Sequence, residues 1–85
     1  MEQDIIDYMN NIIREEKGSR VTINSSLRDA DLDSFGITML FIALDDEYQY
    51  FTKGQYSDNP FGEISYDTIM ISDIVETCKL ETISI

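Results

Sequence analysis

Asp31-Leu32-Asp33-Ser34-Phe35-Gly36-Ile37-Thr38-Met39-Leu40-Phe41-Ile42-Ala43-Leu44-Asp45-Asp46-Glu47-Tyr48 is the stretch on which the fold turns. It opens as a polar loop and continues as a helix. Asp33 suits the N-cap, where its carboxylate accepts from first-turn N–H groups. Ser34 then takes the first helical position, beside the positive end of the helix dipole. Ile37, Leu40, Phe41, Leu44 and Tyr48 follow at the helical period and define one face for a core. Phe35, Met39 and Ile42 form a second apolar row on a different face. Two rows imply either a helix buried on both sides or a core face plus a docking face that begins beside Ser34.

Asp33-Ser34-Phe35 and the helix behind it resemble the Asp-Ser-Leu motif of acyl carrier proteins. The run from Asp33 to Tyr48 lies on that family's pattern without a gap and ends in Ala43-Leu44-Asp45-Asp46-Glu47-Tyr48. Three positions differ: Phe35 for the usual Leu, Ala30-Asp31 for the usual Leu-Gly, and Met39 where Glu is common. The resemblance implies that Ser34 carries 4′-phosphopantetheine, transferred from coenzyme A by a phosphopantetheinyl transferase. Asp33 would be the cap and part of the motif. The chain would then hold acyl intermediates as thioesters for acyl-loading, synthase or acyltransferase enzymes. Phe35, Met39, Ile42, Asp45, Asp46 and Glu47 are the expected partner-binding residues, facing basic and apolar docking surfaces. The weakly charged region around Gly36 and Met39 points to a specialised fatty-acid, polyketide or secondary-metabolite pathway.

Eighty-five residues make one small domain, residues 1–85. The formal charge is −11, from 17 acidic and 6 basic residues. That balance opposes nucleic-acid binding, which requires neutralisation of phosphates, and favours basic partners. With one cysteine, Cys78, and no histidine, the chain has no internal disulfide and no Cys/His zinc set. Cys78 reads as a buried small apolar residue. No signal peptide and no membrane-spanning run is evident, so a cytoplasmic monomer without membrane insertion is expected.

Glu2 to Lys17 reads as the first helix, with Ile5, Ile6, Met9, Ile12 and Ile13 on one stripe and Gly18 as its C′ residue. Ser19 to Leu32 is a long connection pinned by Val21, Ile23 and Leu27. Phe51 to Glu63 reads as a turn-rich loop whose aromatics, Phe51, Tyr56 and Phe61, cover the core. At most a short, irregular helix is expected around Glu63 to Thr68. Ser72 is the expected cap of a last helix from Asp73 to about Leu80, with Ile71, Ile74, Val75 and Cys78 inward. The tail from Glu81 to Ile85 reads as frayed. The expected fold is all-α: a small four-helix bundle of three main helices plus a short third, like an acyl carrier protein.

Two other readings compete. One is an unmodified protein-interaction module of the same fold. The other is an acidic calcium-binding protein, because Asp29-Ala30-Asp31-Leu32-Asp33 opens like an EF-hand loop. The rest of that motif fails: Ser34 stands where Gly is needed, and Leu40 where a bidentate Glu is needed. No base is present to activate Ser34 and no carboxylate pair stands out, so no catalytic residue is assigned.

Overall fold

The computed structural model describes residues 2–56, 60–64, 66 and 68–80. Among them the regular structure is entirely helical. Three longer helices, α1 (Glu2–Glu15), α2 (Ser34–Tyr48) and α5 (Ile71–Lys79), are joined by two single-turn helices, α3 (Tyr50–Lys53) and α4 (Pro60–Glu63). A 3₁₀ turn, Leu27–Ala30, lies in the long first connection. Helix α1 packs on α2 and α5, and α3 packs on α2 and α5.

The core follows from the apolar periodicity. Leu40, Phe41 and Leu44 of α2 share one buried cluster with Ile5, Ile6, Met9 and Ile13 of α1 and Ile71, Ile74, Val75 and Cys78 of α5. Ile37 and Tyr48 are half-buried at its edge. Tyr8 joins α1 to α2 by donating its hydroxyl to the Ala43 carbonyl at 3.2 Å. Its ring meets Tyr48 edge-on at 5.6 Å.

Four sequence expectations shift. Helix α1 ends at Glu15, not Lys17, and Gly18 is one place beyond the C′ position. Lys17 adopts the left-handed conformation (φ 64°). The Lys17 N–H bonds the Arg14 carbonyl at 3.0 Å, and the Gly18 N–H bonds the Ile13 carbonyl at 2.8 Å, the two bonds of a Schellman motif. Gly18 is needed for space: a Cβ there would lie 2.5 Å from the Ala30 carbonyl oxygen and 2.6 Å from Leu32 Cδ2.

The segment after α2 is not a turn-rich loop from Phe51. Gln49, left-handed at φ 57°, ends α2 and starts α3 at once. Asp45 Oδ1 accepts from the Phe51 N–H at 3.1 Å and so caps α3 from within α2. Further on, a short helix, α4, stands at Pro60–Glu63; residues 65 and 67 of the stretch expected to be helical, Glu63 to Thr68, lie outside the described residues. Proline at the first helical position has no N–H to leave unsatisfied, which favours a start there. Phe51, Tyr56 and Phe61 do pack over the core, with Phe51 ring centroids 5.1 Å from Phe61 and 6.0 Å from Tyr56.

Helix α5 begins at Ile71, so Ser72 lies inside it and Met70 is the N-cap. Two bonds move the start back. The Ile71 N–H reaches the Ser25 carbonyl at 2.9 Å, and the Asp73 carboxylate accepts from the Met70 N–H at 3.3 Å. With the Leu27 N–H on the Ile69 carbonyl at 3.0 Å, this makes an antiparallel bridge between Ser26 and Met70 that ties the first connection to α5. The tail from Glu81 to Ile85 lies outside the described residues.

Gly18→Ala should therefore destabilise the domain by about 1–3 kcal/mol, the usual cost of forcing an added methyl into a packed contact. The denaturant midpoint should fall. A midpoint equal to that of the unsubstituted chain would show that the Ala30 carbonyl yields freely.

Candidate functional site

Ser34 is exposed at the first position of α2. It does not cap its own helix. Asp33, in extended backbone (φ −75°, ψ 177°), accepts from the Gly36 N–H through Oδ1 at 2.7 Å. The Ile37 N–H goes to the Asp33 carbonyl at 2.9 Å. The Ser34 carbonyl accepts from Thr38 Oγ1 at 2.9 Å, and the serine hydroxyl has no hydrogen-bond partner among the described residues. The first-turn N–H groups of Ser34 and Phe35 have no earlier carbonyl of the helix to reach. A hydroxyl here is open to solvent and sits where negative charge is stabilised.

The approach to Ser34 is held from below. Asp31 is left-handed (φ 53°) and closes the 3₁₀ turn. Leu32 lies between two glycines: Cβ atoms at Gly18 and Gly36 would come within 2.6 and 3.2 Å of its Cδ2. Gly36 is accordingly buried and is not part of the surface beside Ser34.

The second apolar row is on the surface. Phe35 is 66% exposed, Met39 36% and Ile42 48%, while Leu40, Phe41 and Leu44 are wholly buried. The choice between two buried stripes and a core face plus an outer face falls to the latter. Asp46 and Glu47 are exposed at the far end of α2, whereas Asp45 is half-buried and engaged by the Phe51 N–H.

Two of the three acids of the loop are spent on the backbone. Asp29 accepts from the Ser26 N–H at 2.9 Å and Asp33 from Gly36. Among the described residues no group of three or more His, Cys, Asp or Glu side chains is placed to hold a metal ion. The Ser26-Leu27-Arg28-Asp29 spacing is a capping-box pattern that the sequence does display. Asn10 has no such local signal. Its amide clasps Val21, eleven residues along the chain, donating to the carbonyl at 2.9 Å and accepting from the N–H at 2.8 Å.

Cys78 is buried on α5, as expected. Burial pushes its thiol from 9.0 up to about 11, and the Lys53 ammonium partly offsets this. Lys53 Nζ itself donates to the Cys78 carbonyl at 2.9 Å. Burial, then the Tyr56 hydroxyl 3.3 Å away, likewise raises Tyr50. No helix among the described residues is long and apolar enough to cross a membrane. No protein-family model, curated protein or solved structure matches the chain.

The raised thiol sets a pH dependence. The folded state keeps the Cys78 proton more tightly than the unfolded state, so its contribution to stability is complete below about pH 9 and is lost as pH rises through about 11. Denaturant midpoints of the unsubstituted chain should fall over this window more steeply than those of Cys78→Ala. Parallel pH profiles would show that the thiol titrates alike in the folded and unfolded states.

Proposed function

We propose that the chain is an acyl carrier protein of the phosphopantetheine-dependent kind, with the arm on Ser34. The observation that carries the reading is the exposed, unengaged Ser34 hydroxyl at the first turn of a central helix capped by its neighbour Asp33. The prosthetic group, when attached, supplies a thiol on a mobile arm to hold an acyl group; the chain contributes the attachment point and the surface. Its phosphodiester would sit at the start of α2, where free N–H groups and the helix dipole favour an anion. The all-α architecture suits a four-helix carrier bundle, with α3 and α4 in the place of the short third helix.

Two departures from the family pattern are also compatible with it. Asp31 stands where the family has glycine, and it adopts the left-handed backbone that glycine enters most easily and that Asp tolerates better than most residues. Ala30 stands where the family has leucine and is fully buried. On this reading the protein is a cytoplasmic monomer that passes its cargo among separate enzymes of a specialised acyl pathway. The outer row of Phe35, Met39 and Ile42 is the docking face, with Asp46 and Glu47 at its end. That same exposed row also supports a second reading, an unmodified interaction module.

Incubation with coenzyme A and a phosphopantetheinyl transferase separates the two. Intact-mass measurement should show the gain of one phosphopantetheine, and peptide mapping should put it on Ser34. Ser34→Ala should fold normally and gain nothing. No mass change, or a group on Ser25, Ser26 or Ser72, refutes the assignment.

Met39→Glu should weaken binding to a cognate synthase or acyl-loading enzyme at least roughly tenfold, since it brings a charge into an apolar contact, and should leave the melting curve nearly unchanged. Equal affinity in a folded variant would remove this row from the interface.

A further inference from the structure

A cleft of about 380 Å³ lies between α1 and the start of the first connection. Asp7, Asn10, Asn11 and Arg14 line it from α1, at spacings that put them on one helical stripe, and Gly18 and Arg20 close the other side. The chain has 6 basic residues against 17 acidic ones, so its arginines have acids in excess to pair with. These two do not pair. The Arg14 guanidinium contacts only the neutral Asn11 Oδ1, at 3.4 Å, and no acid among the described residues reaches Arg20. The backbone that carries Arg20 is nevertheless held in place, because the next residue, Val21, is clasped at both its N–H and carbonyl by Asn10. At the opposite end of the stripe, Asp7 accepts from Gln3 Nε2 through Oδ1 at 2.9 Å and leaves Oδ2 open.

We infer that this cleft binds a small zwitterion, with its carboxylate on Arg14 and Arg20 and its ammonium on Asp7. Arginine forks match a carboxylate in a bidentate manner, and Asn11 adds an amide donor beside them. Seven residues of α-helix separate the two charged ends by roughly 10 Å, so the ligand carries its charges at opposite ends rather than on one carbon. The volume suits a small molecule. Net charge argues the same way: a chain at −11 repels a free anion at long range, but a molecule of no net charge meets no such barrier. The site is independent of any chemistry at Ser34.

The test is a titration of the full chain at constant ionic strength with 6-aminohexanoate, hexanoate and inorganic phosphate, followed by nitrogen-15 NMR. The Arg14 and Arg20 Nε–H signals and the Gly18 amide should shift saturably with 6-aminohexanoate. Arg14→Gln and Arg20→Gln should each weaken binding roughly tenfold, the loss expected for a charge-assisted pair. Asp7→Asn should reduce 6-aminohexanoate to the affinity of hexanoate. Unchanged spectra elsewhere report that each variant is folded. Shifts that never saturate, binding unaffected in both arginine variants, or phosphate binding as tightly as the zwitterion would overturn the inference.

Discussion

The Ser19 N–H meets the Ala30 carbonyl at 2.7 Å, and the Gly18 Cα lies against that same carbonyl. This contact closes the long first connection at its base. It places the end of α1 beside the residues that lead into α2, and so decides where Ser34 emerges. Ala30, wholly buried, and Leu32, wedged between Gly18 and Gly36, then have no freedom to slide. The rest of the connection is stitched down at separate points: Asn10 on Val21, Asp29 on Ser26, and the Ser26–Met70 bridge to α5. A twelve-residue excursion with little regular structure is thereby given fixed coordinates without a sheet or a long helix.

The helical content and the inner faces were legible because they depend on local periodicity. The steps of three and four through Leu40, Phe41 and Leu44 suffice to orient α2, and the same steps orient α1 and α5. The exposure of Phe35, Met39 and Ile42 was not decidable from spacing, since a second apolar row looks alike whether covered or bare. Element ends were read less well, for a common reason. Gly18 looked like a conformational stop, but its smallness answers to Ala30, twelve positions on. Ser72 looked like a cap, but the start of α5 answers to Ser25. Each boundary is set by a partner remote in sequence, which no local propensity encodes.

Acidic side chains divide into two populations that composition cannot distinguish. Asp29, Asp33, Asp45 and Asp73 each accept from a backbone N–H at the start of a helical segment, and so are structural. Asp46 and Glu47 are exposed and leave a field that partners meet first. Asp45 is the instructive one. In sequence it belongs with its two acidic neighbours, yet its carboxylate holds the sharp break at Gln49 together. Asp45 keeps its negative charge while it makes this bond, so the end of α2 carries three acids, of which Asp46 and Glu47 are the exposed ones.

The division between Asp33 and Ser34 matters most for the carrier reading. A residue that is to bear a large, mobile group has to be dispensable to the fold, because modification consumes its hydroxyl. Serine is itself a good cap, and a serine one position earlier would have been drawn into the first turn by the Gly36 N–H. Here the aspartate takes that bond at 2.7 Å. Ser34 keeps only a backbone role, through its carbonyl and Thr38. On the carrier reading the helix is complete before any group is attached, and attachment would add an anion where the uncapped N–H groups and helix dipole already favour one. On this reading, loading and unloading the arm leave the bundle unchanged, and a partner recognises the same α2 surface at every stage of the cycle.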